Sequence, residues 1–301
     1  MAMSDQVRIV EVGPRDGLQN EKIPVSVEAR VAFIENLVGA GLHTVEVGSF
    51  VSPKAIPQMT NSDQVLRAVD HHPDCEFHVL VPNEKGYEAA KAAGAKVIAV
   101  FASASEGFSK ANINCTVAES IERFTPVVQH ARADGIKVRG YVSCVLGCPY
   151  DGEVKPAAVA AVAKKLWDLG CYEVSLGDTI GVGTPVKARQ LLRAVVADVP
   201  IKNLGMHFHD TYGQALANLY AGLEEGARVI DSAAGGLGGC PYAPGATGNV
   251  ATEDVVYMLE GMGISTGVDM NKLVVATNDI ARVLGKPPVS RVASAINAGR
   301  R

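Results

Sequence analysis

"YEVSLGDTIGVGTPVKARQLLRAVVADV", residues 172–199, contains one complete structural unit. YEVSLGDT (172–179) is a short apolar run of strand character, and TPVKARQLLRAVVADV (184–199) is a longer segment with helical period. The same pair recurs in both directions along the chain. Upstream, VRIVEVG (7–13) precedes 25–41, TVEVGSF (44–50) precedes 62–72, and CEFHVLV (75–81) precedes 83–95. KVIAVFAS (96–103) then precedes 117–135, and KVRGYVSCV (137–145) precedes 156–170. Downstream, NLGMHFHD (203–210) precedes 213–227 and RVIDSAAGG (228–236) precedes 251–263.

Strands alternating with helices across short connections predict a parallel sheet. Eight units in roughly 250 residues match a closed α/β TIM barrel, (β/α)8, better than an open doubly wound sheet, which usually has fewer strands. Gly41, Gly135 and Gly170 close several of the helices, as a helix C-terminus favours. The expected organisation is one catalytic barrel domain over about 7–263, followed by a helical extension over about 269–301.

The 301 residues are 48% apolar and 20% charged with a net charge of −4, a balance of soluble globular chains. No basic stripe points to nucleic acid, and no run reaches the ~18 apolar residues of a membrane span. The opening MAMSDQVRIV has neither signal-peptide nor transit-peptide layout, so a cytoplasmic location is expected and the six cysteines read as thiols.

In such barrels the active site lies at the C-terminal ends of the strands, so polar residues where apolar runs stop are the informative ones. EVGPRDGLQNE (11–21) places Arg15 and Asp16 side by side between Gly13-Pro14 and Gly17. GMHFHD (205–210) places His207 and His209 two apart, so both point to one face of a strand end, well placed to bind one divalent cation. Asp16 supplies the carboxylate that two neutral imidazoles lack, and Asn249 can add an amide oxygen. This mixed set suits Mg²⁺ or Mn²⁺, although two His and one carboxylate is also a non-haem iron pattern. Arg15, itself a cation, is suited to meet charge developing on a substrate oxygen, and Glu46, inside TVEVGSF, could hold it. His78 reads as a core residue without a polar neighbour in step; His43, His71, His72 and His130 fall on helices or helix ends and read as solvated. GGLGGCPYAPGATGN (235–249) suits a mobile flap, and its Cys240 is an acid–base candidate, a passive thiol being the alternative.

RDGLQNE, HFHD and GGLGGCPYAPGATGN together resemble the hydroxymethylglutaryl-CoA lyase family, within a wider group of metal-dependent acyl-CoA lyases and synthases, and the resemblance runs from 7 to about 285. It implies a divalent cation held by Asp16, His207, His209 and Asn249, with Arg15, Asp16 and Glu46 as the shared trio. It further implies that Arg15 stabilises an enolate, that Cys240 is a flap thiol in proton transfer, and that Lys22 contacts coenzyme A. Asp178, in LGDT, is a family-like polar position without an assigned role. The implied reaction cleaves 3-hydroxy-3-methylglutaryl-CoA into acetyl-CoA and acetoacetate, with Cys240 and His207 as candidate proton donors and Asp16 as a further proton acceptor. A homodimer that takes an acyl-CoA substrate is the expected assembly. Rival readings are a lyase for a longer branched 3-hydroxyacyl-CoA, a Claisen-type synthase (which typically extends beyond one barrel), an iron oxygenase and a non-catalytic acyl-CoA binder.

Overall fold

The computed structural model describes residues 6–239 and 248–299. Eight parallel strands close into a barrel in sequence order: β1 Arg8–Glu11, β2 Thr44–Ser49, β3 Glu76–Leu80, β4 Val97–Ser103, β5 Lys137–Ser143, β6 Glu173–Asp178, β7 Leu204–Phe208 and β8 Val229–Ser232. Closure comes from β1 on β8, with Arg8 opposite Val229 and Val10 opposite Asp231. Strands covered on both faces become almost continuously buried, and β2, β6, β7 and β8 are buried at every position.

The outer layer comprises α1 Val27–Gly39, α2 Ser62–Val69, α3 Glu84–Ala92, α4 Glu106–Ile113, α5 Val117–Ala133, α6 Pro156–Leu169, α7 Pro185–Val195, α8 Ala215–Glu224 and α9 Thr252–Gly261. Local chemistry sets their ends. Ser26 accepts the Ala29 N–H at the start of α1, and Thr116 with Glu119 forms a reciprocal capping box on α5. Gly170, at φ 109°, ends α6 in the left-handed region that a side chain would resist. Two helices follow the eighth unit, α10 Met270–Leu284 and α11 Arg291–Gly299, separated at Gly285 and Pro287-Pro288.

The sequence expectation places no helix between 104 and 116, yet α4 is there. Ser105 caps it by accepting the Phe108 N–H, and Asn114 ends it with φ 52°. It buries only Phe108 and Ser109, too little apolar surface to generate a visible period. No described helix is long and apolar enough to cross a membrane.

Candidate active site

The corner after β1 is a π-turn, Gly13–Gly17, in which the Val12 carbonyl accepts N–H groups from Arg15, Asp16 and Gly17 at 3.2, 2.8 and 3.2 Å. Gly17 is required by its neighbour: a Cβ there would lie 2.7 Å from the Leu237 Cβ in the segment after β8. Buried Glu11 locks the same region, accepting the N–H groups of Gly13 (2.8 Å) and Ala234 (2.9 Å) and the Thr252 hydroxyl (2.6 Å). Glu253 accepts the Gly235 N–H from the other side. Burial outweighs these bonds and raises both carboxyls to about 7.

This corner turns Arg15 inward. Its Nε donates to Glu46 Oε2 at 2.7 Å, and its Nη1 donates to Asp16 Oδ1 at 2.7 Å. Glu46 is fully buried on β2 beside a register shift between Glu46 and Gly48, where the Val47 carbonyl is met by the Arg30 guanidinium (3.4 Å). Such a bulge re-aims the adjacent side chain. Burial opposes charge on Arg15, but Glu46 and Asp16 outweigh it and hold the guanidinium above its usual pKa.

The second oxygen of Asp16 faces the end of β7. His207 Nε2 lies 3.9 Å from Asp16 Oδ2, and the Asn249 amide nitrogen donates to that oxygen at 2.8 Å. Asn249 reaches the site because it pairs with His209 in an antiparallel bridge, and it also donates to the Leu237 carbonyl. Coordination through Asn249 Oδ1 requires the amide to turn over from this arrangement. Burial works against the charge of Asp16, yet Arg15, His207, His209 and Asn249 together pull its pKa down to about 2.

Asp16, His207 and His209 each offer a ligand atom, all within 4.8 Å of one another. His207 Nδ1 faces Asp231 Oδ2 at 3.2 Å, which places a proton on Nδ1 and, in the neutral ring, turns the Nε2 lone pair towards Asp16. His209 is pushed down to about 4 by burial and by His207, against Asp16, so it stays neutral at pH 7. Its Nδ1 is buried without a hydrogen-bond partner. An ionised carboxylate and two imidazoles, one with a partnerless ring nitrogen, form a donor set that fits a divalent cation.

Beneath these groups lies a polar layer that sequence reasoning did not single out. Arg139 on β5 donates through Nη2 and Nη1 to Asp231 (2.7 and 2.9 Å) and through Nε to Glu173 (2.7 Å). Ser175 also donates to Asp231, and the Tyr141 hydroxyl bridges from Arg139 (2.8 Å) towards Glu46 (3.4 Å). Charges inside VRIVEVG-like apolar runs were the available signal, the same one that drew attention to Glu46.

Other expected positions fare differently. Asp178 is fully buried at the end of β6, but its oxygens accept the N–H groups of Val182 (3.2 Å) and Gly183 (2.8 Å), so it organises its own loop. Burial, against those bonds, raises it to about 6. Lys22 is exposed between the π-turn and α1. Of the flap expected over 235–249, residues 240–247, Cys240 among them, lie outside the described residues. His78 is buried as expected, but it has a polar neighbour after all: Nε2 lies 2.7 Å from Glu76 Oε1, two residues back on the same strand face. The five described cysteines are free thiols.

Comparison with known proteins agrees with this architecture. The chain is 57% identical over 298 residues to a 3-hydroxy-3-isohexenylglutaryl-CoA/hydroxy-methylglutaryl-CoA lyase of Pseudomonas aeruginosa, covering 99% of each chain. It is 56% identical over 290 residues to the mitochondrial hydroxymethylglutaryl-CoA lyase of Bos taurus, covering 96% of this chain and 89% of that one. The crystal structure of hydroxymethylglutaryl-CoA lyase from Pseudomonas aeruginosa superposes with a TM-score of 0.97 at 57% identity, covering 99% of this chain and 100% of the other. The HMGL-like family model matches residues 6–280, and the chain belongs to that family.

Proposed function

We propose that the protein is a carbon–carbon lyase that cleaves 3-hydroxy-3-methylglutaryl-CoA to acetyl-CoA and acetoacetate. The observation that carries the reading is the juxtaposition of Arg15, locked by Glu46, with the Asp16–His207–His209 group at the mouth of the barrel. A divalent cation, Mg²⁺ or Mn²⁺, held by Asp16, His207, His209 and the Asn249 amide oxygen would supply the positive charge that favours loss of the substrate's tertiary hydroxyl proton.

As that proton passes to the Asp16 carboxylate, the acceptor that the sequence resemblance offers, the C–O bond becomes a carbonyl, the adjacent C–C bond breaks, and its electron pair passes into the thioester enolate. Arg15 meets the enolate oxygen. A guanidinium has five N–H donors, and the bonds to Glu46 and Asp16 fix its plane while leaving N–H groups on both terminal nitrogens. His207 is committed on both nitrogens, Nδ1 to Asp231 and Nε2 to the ligand group, which makes it a ligand rather than a proton carrier. Asp16 serves as charge and ligand and takes the hydroxyl proton as the carbonyl forms. That leaves Cys240 as the donor that protonates the enolate carbon to give acetyl-CoA, and Lys22 as a coenzyme A contact, both on the strength of the sequence resemblance.

The test is acetoacetate release from 3-hydroxy-3-methylglutaryl-CoA with Mg²⁺, with Mn²⁺ and with chelator. Turnover that chelator abolishes and either ion restores is the expected result. No turnover on this substrate, with turnover on 3-hydroxy-3-isohexenylglutaryl-CoA, would transfer the site to the longer branched substrate that one relative's name carries.

A further inference from the structure

The barrel holds a second group of metal-ligating side chains, on its outer surface and at the opposite end from the catalytic mouth. Glu35 lies on α1, and His71 and His72 follow the end of α2, beside the chain's turn into β3. Successive residues on a helix diverge by about 100°. Here α2 has ended at Val69, and the two rings come side by side, centroids 4.1 Å apart and tilted 36°. Both present Nε2 to one carboxylate: His72 Nε2 donates to Glu35 Oε2 at 2.7 Å, a proton that a bound ion would displace, and His71 Nε2 lies 3.6 Å from Glu35 Oε1. The donor atoms all lie within 4.8 Å of one another.

Two details distinguish the group from an ordinary solvated cluster. His71 Nδ1 is 2.9 Å from the Ala68 carbonyl, so that nitrogen carries a proton, and in the neutral ring Nε2 is a lone pair. The Glu35 Oε1 it faces is buried and has no hydrogen-bond partner. In that tautomer two acceptors confront each other across 3.6 Å, a gap that favours a cation between them. Ligand atoms on one tetrahedral zinc stand about 3.3 Å apart, given bonds of about 2.0–2.1 Å. A ring nitrogen fixed by a backbone carbonyl is also the usual outer-shell support of a metal-bound histidine. The His72 ring also meets the Phe77 ring on β3 in an edge-type arrangement, centroids 6.4 Å apart.

We propose that Glu35, His71 and His72 form a second metal site, selective for the borderline transition ions that favour imidazole, Zn²⁺ foremost, which pins the end of α2 to α1. The site lies outside the machinery assigned above, and its ligands differ from that centre in having no amide oxygen or charge-paired aspartate.

The experiment counts zinc per chain by equilibrium dialysis and elemental analysis at micromolar free Zn²⁺. Wild-type protein is expected to hold two ions, one in each group. His71→Ala and Glu35→Gln should each hold one while keeping wild-type turnover with Mg²⁺, and zinc should raise the thermal midpoint of His71→Ala less than that of wild type. In a His209→Ala background one zinc should remain, and adding His71→Ala should remove it. A single ion per wild-type chain, or an unchanged count in His71→Ala, would overturn the proposal without touching the lyase reading.

Discussion

Arg15 and Arg139 lie in the same barrel, each paired with two carboxylates, and the two clusters are finished to different degrees. Around Arg139 the network is closed: Asp231 receives bonds on both oxygens from Arg139, with Ser175 and His207 added, and Glu173 pairs with Arg139 and Arg8. Around Arg15 it is open. Glu46 Oε1 and His209 Nδ1 are buried without partners, and the Asp16 side chain reaches the surface at 17% exposure. The residue types are the same, but only the upper cluster has bonding capacity left for something else. His207 joins the two, with one nitrogen on Asp231 and the other towards Asp16.

That contrast makes the two clusters respond differently to substitution. Arg139→Met leaves Asp231 and Glu173 buried without their cation, and a broken buried pair of this kind costs about 3–5 kcal/mol. The expected outcome is a large fall in the urea midpoint, with turnover lost only as the fold is lost. Asp16→Asn or His209→Ala should leave the fold standing, with ion affinity and turnover falling together by more than the roughly 10–100-fold typical of outer-shell changes. Calorimetry alongside the acetoacetate assay reads both, and undiminished ion binding would remove that residue from the ligand set.

Cys240→Ser sharpens the division of labour further. Ion and substrate binding should persist while kcat falls about 10²-fold or more, as for loss of a general acid. A near-normal kcat would take the thiol out of the reaction. The smallest effect is on pH dependence. His209 has a folded pKa of about 4 against an ordinary 6.5, because burial disfavours its charged form. In ion-free protein its contribution is complete above about 6.5 and declines as pH falls towards 4, where the unfolded chain binds a proton the folded one resists. The slope is at most one proton, about 1.4 kcal/mol per pH unit. His209→Ala should flatten the urea-midpoint profile in that window, and an unaltered slope would contradict the assignment.

The barrel was legible because eight apolar runs alternate with helical periods, and its fold follows from that repeat. The upper cluster was partly legible for a local reason: Arg15-Asp16 and His207-His209 are neighbours in sequence that also sit at strand ends. Asp231 and Arg139 were not picked out, although each is a charge within an apolar run. Their meaning depends on closure, since Asp231 meets His207 and Val10 only through the registers of β7 with β8 and β8 with β1. The cluster of Glu35 with His71 and His72 was hidden for the same reason. It joins residues 36 and more positions apart across two helices, and sequence alone gave those histidines a solvated reading.

The most direct test of an open cluster built for catalysis is Arg15→Met, followed by ion calorimetry and kcat on 3-hydroxy-3-methylglutaryl-CoA. The account predicts a folded protein that binds its divalent cation and turns over about 10²–10³-fold more slowly, since a group that stabilises developing charge contributes about 3–4 kcal/mol to the transition state. Wild-type kcat in that variant would contradict it.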